Sequence, residues 1–284
     1  MPTWTSAVAH AARFAPQARI VVLDQASGRL LAASHLSEAA RTLAAPGSTL
    51  KPLALYGLVA AGRWDPARRI ACTRKLRIAG RALNCSHPPA DPMDASQALT
   101  WSCNTYFATV AATLAPGELR TLFAPTGLLS QTGLAKNEAT AVFHDPQSPD
   151  DNRLALLGVD EILVTPLELA TAYRWLALQL ASQPSESTLR PPSASAAAQV
   201  VRAGLADSAS FGMAGAAALG GVPVAGKTGT ASPAAGGQTH GWFAGFAPSD
   251  APRAIIVVYL PAGRGADAAR VAAELLAHSP LRQP

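Results

Sequence analysis

The chain is short of lysine, of charge altogether, of aromatic residues and of cysteine, and it has no long apolar run. Only 14% of its 284 residues are charged and 49% are hydrophobic, so the composition excludes a disordered chain and leaves material for a sizeable core. Aromatics make up 6%, which leaves much of the packing to alanine and leucine. The longest apolar run, Ala254–Leu260, has a strand's length and falls far short of the ~18–20 residues of a membrane helix. The N-terminal stretch holds His10, Arg13, Pro16 and Arg19 without a continuous apolar segment, so no signal peptide is expected. Net charge is +5, but the arginines are scattered apart from small clusters such as Arg63, Arg68 and Arg69. No basic run interleaves with aromatics, which argues against a nucleic-acid partner. A mildly basic surface suits an anionic polymer or a membrane face.

The three cysteines are Cys72, Cys85 and Cys103, and no C-x-x-C or Cys/His spacing suggests a metal; neither a metal nor another cofactor is expected. Cys72 and Cys85 flank Thr73–Asn84, which reads as a hairpin turning near Ala79-Gly80-Arg81. They face each other as a disulfide in an oxidising compartment, or they are two buried free thiols; both readings stay open. The shortage of lysine is more telling. Nineteen of the 23 basic residues are arginine and four are lysine. Two of those lysines, Lys51 and Lys227, fall in the motifs below, where arginine could not stand in as a proton acceptor.

In order, the pattern predicts a helix over Ser6–Phe14, a strand over Ala18–Leu23, a turn at Asp24–Gly28 and a strand over Arg29–Ser34. Leu36–Ala45 is a loop or short helix. From Asp65 to about Ala181 the chain reads as mainly helical and alanine-rich, with helices over Asp94–Trp101 and from about Thr105 to Leu114. Thr165 caps a helix that has Pro166 at its first position. Residues 182–196 read as a Ser/Pro-rich loop and Ser195–Leu205 as helical. The pattern then changes to strands: Val222–Ala225 into Gly226–Ala231, a turn over Ser232–Thr239, then His240–Pro248 and Arg253–Leu260. Ala266–Ala277 closes as a helix. The fold class expected is α/β (α+β): one antiparallel sheet built from both chain ends and flanked by helices, with an inserted, mainly helical lobe. The expected organisation is a single domain over 1–284, with a sheet lobe at about 1–63 and 206–284 and a helical lobe at about 64–205. A cleft between the lobes is the natural site.

The chain is organised around Ala45-Pro46-Gly47-Ser48-Thr49-Leu50-Lys51-Pro52. A serine hydroxyl needs a neighbour that takes its proton before it becomes a nucleophile. Lys51 follows Ser48 at helical spacing, which puts both on one face roughly 5–6 Å apart at Cβ. Leu50, Leu53, Ala54, Leu58 and Ala61 continue the helical period to about Gly62. Free N–H groups at that helix start would favour a developing oxyanion. Pro52 cannot donate to the carbonyl of Ser48, which is expected to stay free for other partners. On its own Ser-x-x-Lys is weak, since an N-cap serine followed by a solvated lysine has the same spacing. Two further elements stand downstream, Ser102-x-Asn104 and Lys227-Thr228-Gly229.

This combination resembles the penicillin-binding transpeptidases and serine β-lactamases. The resemblance extends to Val21-Val22-Leu23-Asp24 through Gly28, Ser102-Cys103-Asn104-Thr105-Tyr106-Phe107, and Val164-Thr165-Pro166-Leu167-Glu168-Leu169-Ala170. Ala225–Ala231 and His240-Gly241-Trp242-Phe243-Ala244-Gly245-Phe246-Ala247-Pro248 match as well. It implies that Ser48 attacks a terminal D-Ala-D-Ala carbonyl or a β-lactam, and that Lys51, held neutral by desolvation or by the nearby charge of Lys227, takes its proton. It implies that Ser102 relays a proton to the leaving group and that Asn104 orients Lys51 and holds the substrate amide. Thr228 and Thr230 would bind the substrate carboxylate with help from Lys227, and Gly229 would let the strand lie close to the acyl chain. The N–H groups of Ser48 and Thr230 would form the oxyanion hole. Trp242 and Phe243 read as core, and His240 has only a weak case for lining the site.

The resemblance also has departures. No glutamate sits in the Glu-x-x-Leu-Asn segment of class A β-lactamases, and class D enzymes carry an apolar residue where Asn104 stands. Both favour a transpeptidase or carboxypeptidase. Asp160 stands where the family often has glycine. The implied function is a serine acyl-transferase on peptidoglycan stem peptides, acylated and inhibited by β-lactams. The alternatives are a non-enzymatic β-lactam or muropeptide sensor (or inactive relative), and a β-lactamase. The implied setting is periplasmic. The membrane anchor and N-terminal accessory module usual in the larger family members are not visible, so the chain is expected to be one domain cut from a longer precursor or a minimal relative; the conflict between a periplasmic role and the lack of an export signal favours the former.

Overall fold

Ala254–Leu260 is apolar at every position, a pattern that suits a strand covered on both faces. In the computed structural model, which describes residues 2–88, 90–181, 191–232 and 237–282, both faces are covered. In chain order the elements are α1 (Trp4–Phe14), β1 (Arg19–Asp24), β2 (Leu30–Ser34), α2 (Leu36–Ala39), a 3-10 turn (Gly47–Leu50) and α3 (Lys51–Ala60). The small hairpin β3 (Arg77–Ile78) and β4 (Arg81–Ala82) comes next, then α4 (Ala95–Thr100), α5 (Asn104–Ala111), α6 (Glu118–Phe123), β5 (Val142–Phe143), α7 (Pro149–Leu156) and β6 (Ile162–Leu163). The chain finishes with α8 (Pro166–Ala181), α9 (Pro192–Ser210), β7 (Ala225–Ala231), β8 (His240–Ala247), β9 (Ala254–Leu260) and α10 (Gly265–Ala277).

The main sheet has five strands in the order β2-β1-β9-β8-β7, every neighbouring pair antiparallel. The two chain ends meet where β1 pairs with β9, with Val22 opposite Ile256, as the sequence led us to expect. Strand alternation sends Val21, Leu23, Ile255 and Val257 into one core with Leu169, Tyr173 and Leu176 of α8. It sends Ile20, Val22, Ile256 and Val258 into a second core with α1 and α10, through Val8, Ala11, Ala272 and Leu275. β7 is an edge strand, so one side of its backbone is left for the cleft.

The hairpin turns at Ala79 and Gly80, both at positive φ (46° and 79°), which is the turn geometry that a two-residue loop favours. Thr165 and Glu168 form a reciprocal cap on α8: the Glu168 N–H donates to Thr165 Oγ1 (3.1 Å) and the Thr165 N–H to Glu168 Oε2 (2.8 Å). The 65–181 stretch is less helical than its alanine content suggests. Its helices up to α7 are short, and residues 61–88, 90–94 and 127–148 are mostly turns and irregular chain, because Pro66, Pro88, Pro92, Gly127, Gly133 and Pro146 interrupt them. α9 starts at Pro192, not Ser195, with proline at its first turn, and runs on to Ser210. The rest of the expected loop, 182–190, and the middle of the expected turn, 233–236, lie outside the described residues.

Candidate active site

Ser48 sits in the 3-10 turn that precedes α3. The Lys51 N–H donates to the Ser48 carbonyl, so that carbonyl is not free as expected. The reason is Pro52. It has no N–H for an α-helical bond to Ser48, and the chain tightens by one residue instead. In a 3-10 turn residues i and i+3 eclipse, so Ser48 and Lys51 still share a face. The segment is held from four directions. The Gly47 N–H donates to the Gly158 carbonyl (2.7 Å), Ala44 bridges to Val164, and the Tyr173 hydroxyl donates to the Thr49 carbonyl (2.9 Å). The Ala45 carbonyl accepts from both His240 Nε2 (2.8 Å) and Trp242 Nε1 (2.9 Å). The sequence reads Trp242 as core and gives His240 only a weak case for lining the site. Their i, i+2 spacing on one strand face was the available signal. Burial pushes His240 below its ordinary pKa, which keeps the ring neutral.

Ser102 and Asn104 are placed by a helix end. The Cys103 N–H donates to the Ala98 carbonyl and the Ser102 N–H to the Leu99 carbonyl, the double bond pattern that closes α4. That motif needs a left-handed residue, and Ser102 takes it at φ 56°, a position usually given to glycine. Cys103 then caps α5, and Asn104 is its first residue. Asn104 Nδ2 donates to the Leu83 carbonyl (3.0 Å), which fixes the amide with Oδ1 turned to Lys51.

Lys51 and Lys227 are both fully buried, and among the described residues neither has an ion-pair partner. Lys51 Nζ donates to Asn104 Oδ1 (2.6 Å), the Ser102 carbonyl (2.9 Å) and Ser102 Oγ (3.2 Å), and lies 5.2 Å from the Phe107 ring centre. Burial pulls its pKa from the ordinary 10.5 down to about 7. Lys227 Nζ reaches the Thr228 carbonyl (3.2 Å), and burial, with the like charge of Lys51, pulls its pKa well below the ordinary range. Desolvation therefore dominates at Lys51, and the charge repulsion between the two lysines shows at Lys227.

On β7, Thr228 Oγ1 donates to the Met213 carbonyl (3.3 Å), and Thr230 Oγ1 accepts from the N–H of Gly265 at the start of α10 (2.9 Å). A Cβ at Gly229 would lie 2.4 Å from the Pro46 carbonyl oxygen and 3.0 Å from Thr49 Cγ2. Glycine is thus required by the close approach of β7 to the Ser48 segment itself. Ser48, Ser102, Asn104, Thr228, Gly229 and Thr230 line one cleft of about 200 Å³, together with Asn84, Ser86 and Met213, which the sequence did not flag. Lys51 and Lys227 are buried beside it. No carboxylate lines this cleft among the described residues. Glu168 is taken up by its cap and by the Ala141 N–H (2.6 Å), and Asp160 by Arg81 (2.8 Å). The hairpin cysteines do not pair. All three cysteines are free; Cys72 faces His87, and Cys85 lies 3.9 Å from the sulfur of Cys103.

The family model described as the penicillin binding protein transpeptidase domain matches residues 18–278. A search of curated proteins found no match. Among solved structures, the transpeptidase domain of Burkholderia pseudomallei penicillin-binding protein 3 superposes with a TM-score of 0.79 at 18% identity, covering 98% of this chain and 93% of that one. A Burkholderia ambifaria peptidoglycan glycosyltransferase gives 0.78 at 18% identity, with 96% and 90% covered. Pseudomonas aeruginosa PBP2 in complex with WCK 5153 gives 0.76 at 21% identity, with 96% and 74% covered. At these identities the structural likeness establishes the fold.

Proposed function

This chain belongs to the penicillin-binding protein transpeptidase domain family, and from that premise we propose that it is a serine acyl-transferase acting on the D-Ala-D-Ala ends of peptidoglycan stem peptides. The observation that carries the reading is the convergence of the buried Lys51 amine on Ser102 and Asn104 beside the cleft that Ser48 also lines.

Ser48 Oγ attacks the penultimate D-Ala carbonyl carbon, and its proton passes to the neutral Lys51 Nζ. Neutral Lys51 has two hydrogens, and the Ser102 carbonyl and Asn104 Oδ1 are acceptors for both, which leaves the lone pair for the incoming proton. The N–H groups of Ser48 and Thr230 stabilise the oxyanion. As the C–N bond breaks, Ser102 gives its hydroxyl proton to the departing amine and takes one from Lys51, so the lysine is neutral again. The acyl-enzyme ester then passes to an amine or to water. Thr228 and Thr230 hold the terminal carboxylate. Its arrival supplies a counter-charge that no described residue gives Lys227, which draws the proton to Lys227 and keeps Lys51 free to act. With no carboxylate among the described residues that line the cleft, a deacylating water has little help, which favours this reading over a β-lactamase. In this reading β-lactams acylate Ser48, and the domain works outside the cytoplasm, where peptidoglycan lies.

The test is intact-protein mass spectrometry with benzylpenicillin beside the Ser48→Ala variant. A stable adduct on the parent chain and none on the variant is the expected result. Rapid drug loss without an adduct would mean a β-lactamase. Neither adduct nor loss would overturn the acyl-transfer reading. A stable adduct in a chain that turns over no D-Ala-D-Ala peptide would support the sensor.

A further inference from the structure

We infer that Cys72, Cys85, His87 and Cys103 form a binding site for one tetrahedral divalent metal ion of the zinc class, directly behind the Ser102–Asn104 turn. The four ligand atoms lie within 4.8 Å of one another, and all but Cys72 are buried. A tetrahedral ion with bonds of about 2.3 Å to sulfur and about 2.0–2.1 Å to nitrogen requires edges of roughly 3.8 Å between sulfurs and 3.6 Å between sulfur and nitrogen. The Cys85–Cys103 sulfur separation is 3.9 Å, and Cys72 Sγ lies 3.5 Å from His87 Nε2. Two opposite edges of the tetrahedron are therefore already set.

The surroundings are those of a ligand set. His87 Nδ1 is 2.6 Å from the Pro88 carbonyl, so it carries the ring proton and leaves the Nε2 lone pair facing the sulfurs. The Asn104 N–H points at Cys85 Sγ (3.2 Å) and the Arg74 N–H at Cys72 Sγ (3.3 Å). Both are donors that favour sulfur as thiolate. Thr105 Oγ1 adds contacts to Cys72 (3.6 Å) and Cys85 (3.8 Å). Three thiolates and one imidazole suit zinc in a closed structural site, and binding releases the thiol protons to solvent. No local spacing announces the set, because its members come from both sides of the β3–β4 hairpin and from the start of α5.

The ion would tie the hairpin to the turn that presents Ser102 and Asn104, alongside the bond from Asn104 Nδ2 to Leu83. This inference stands apart from the acyl-transfer reading, since metal binding is read without turnover.

The test is a titration of the reduced, chelator-treated chain with Co²⁺ under anaerobic conditions, followed by Zn²⁺. One Co²⁺ per chain, with thiolate-to-cobalt charge-transfer bands and intense tetrahedral ligand-field bands bleached by one equivalent of Zn²⁺, is expected. Zn²⁺ should also shield all three thiols from alkylation. Cys72→Ser and His87→Ala should each weaken binding by more than the ~100-fold of an outer-shell change. If either variant fails to fold, the titration of the parent chain decides alone. A featureless titration, a weak octahedral spectrum, or a chain isolated with Cys85 and Cys103 joined as a disulfide would overturn the site.

Discussion

Asn104 Oδ1 lies 2.6 Å from Lys51 Nζ, the shortest of the three contacts that hold this buried amine. An amide here accepts a hydrogen bond without adding charge. Asn104→Asp would put a carboxylate in the same place and hold Lys51 protonated. Acylation by benzylpenicillin at neutral pH should fall by about 10²–10³, and the pH at which it rises should move to the alkaline side. Asn104→Ala should slow acylation without that alkaline move. Stopped-flow acylation across pH separates the two, and an Asn104→Asp variant with the parent midpoint would refute Lys51 as the base.

In the parent chain, burial brings Lys51 to about 7 from its ordinary 10.5. Acylation should therefore climb about tenfold per pH unit below that point and level off above it. His240, pushed down by burial, titrates on the acid side of its ordinary 6.5 and does not account for the rise. Stability should follow with the same sign. Between about 7 and 10.5 the unfolded chain still holds the Lys51 proton that the folded chain has lost, so stability increases with pH across that window. Below it both states are protonated and the full cost of the buried charge is present. Chemical denaturation at several pH values measures this, and an acylation profile flat across neutrality would sink the assignment.

Ser102 pays for its place with a left-handed backbone at φ 56°. Ser102→Gly removes that strain and the hydroxyl together. Stability should rise by about 0.5–1 kcal/mol, while acylation falls by about 10² with the relay gone. Ser102→Ala keeps the strain and should slow acylation equally without the gain. A Ser102→Gly variant no more stable than Ser102→Ala would show that the α4 end does not store strain.

Much of this arrangement was legible because it is carried by short local signals. The Ser48/Lys51, Ser102/Asn104 and Lys227–Gly229 elements could be read, as could the Thr165 cap and the Ala79-Gly80 turn. What could not be read depends on contacts between distant segments. One local feature differs as well: without an N–H on Pro52 the Ser48 carbonyl is expected to be free, and the chain instead tightens so that the Lys51 N–H takes it up. The two-residue strands β5 and β6 have too few positions to show a period. The convergence of His240 and Trp242 on Ala45, and of Cys72 and Cys103 on the Cys85–His87 segment, joins separate stretches of the chain.

Gly229 gives a sharper test of how the cleft is built. Its missing side chain makes room for the Pro46 carbonyl, 2.4 Å from where a Cβ would sit, and a backbone oxygen cannot turn aside like a side chain. Gly229→Ala should push β7 off the Ser48 segment, costing about 2–3 kcal/mol of stability in the ligand-free protein and at least about 10² in acylation. A variant with parental melting behaviour and lost acylation would restore substrate clearance as the reason for glycine.

His240 and Trp242 set the position of Ser48 from behind, through the Ala45 carbonyl. A carbonyl with two donors keeps one when the other is removed, so the single losses should be mild and the joint loss larger than their sum. His240→Ala and Trp242→Phe should each slow acylation by about threefold to tenfold, and the double variant by about 10² or more. His240→Gln, which offers an amide N–H in place of Nε2–H, should recover part of the loss. The acylation midpoint should stay at the parental pH throughout, because neither residue supplies the base. Strictly additive rates, or a midpoint that moves with His240, would remove the pair from the positioning of the nucleophile.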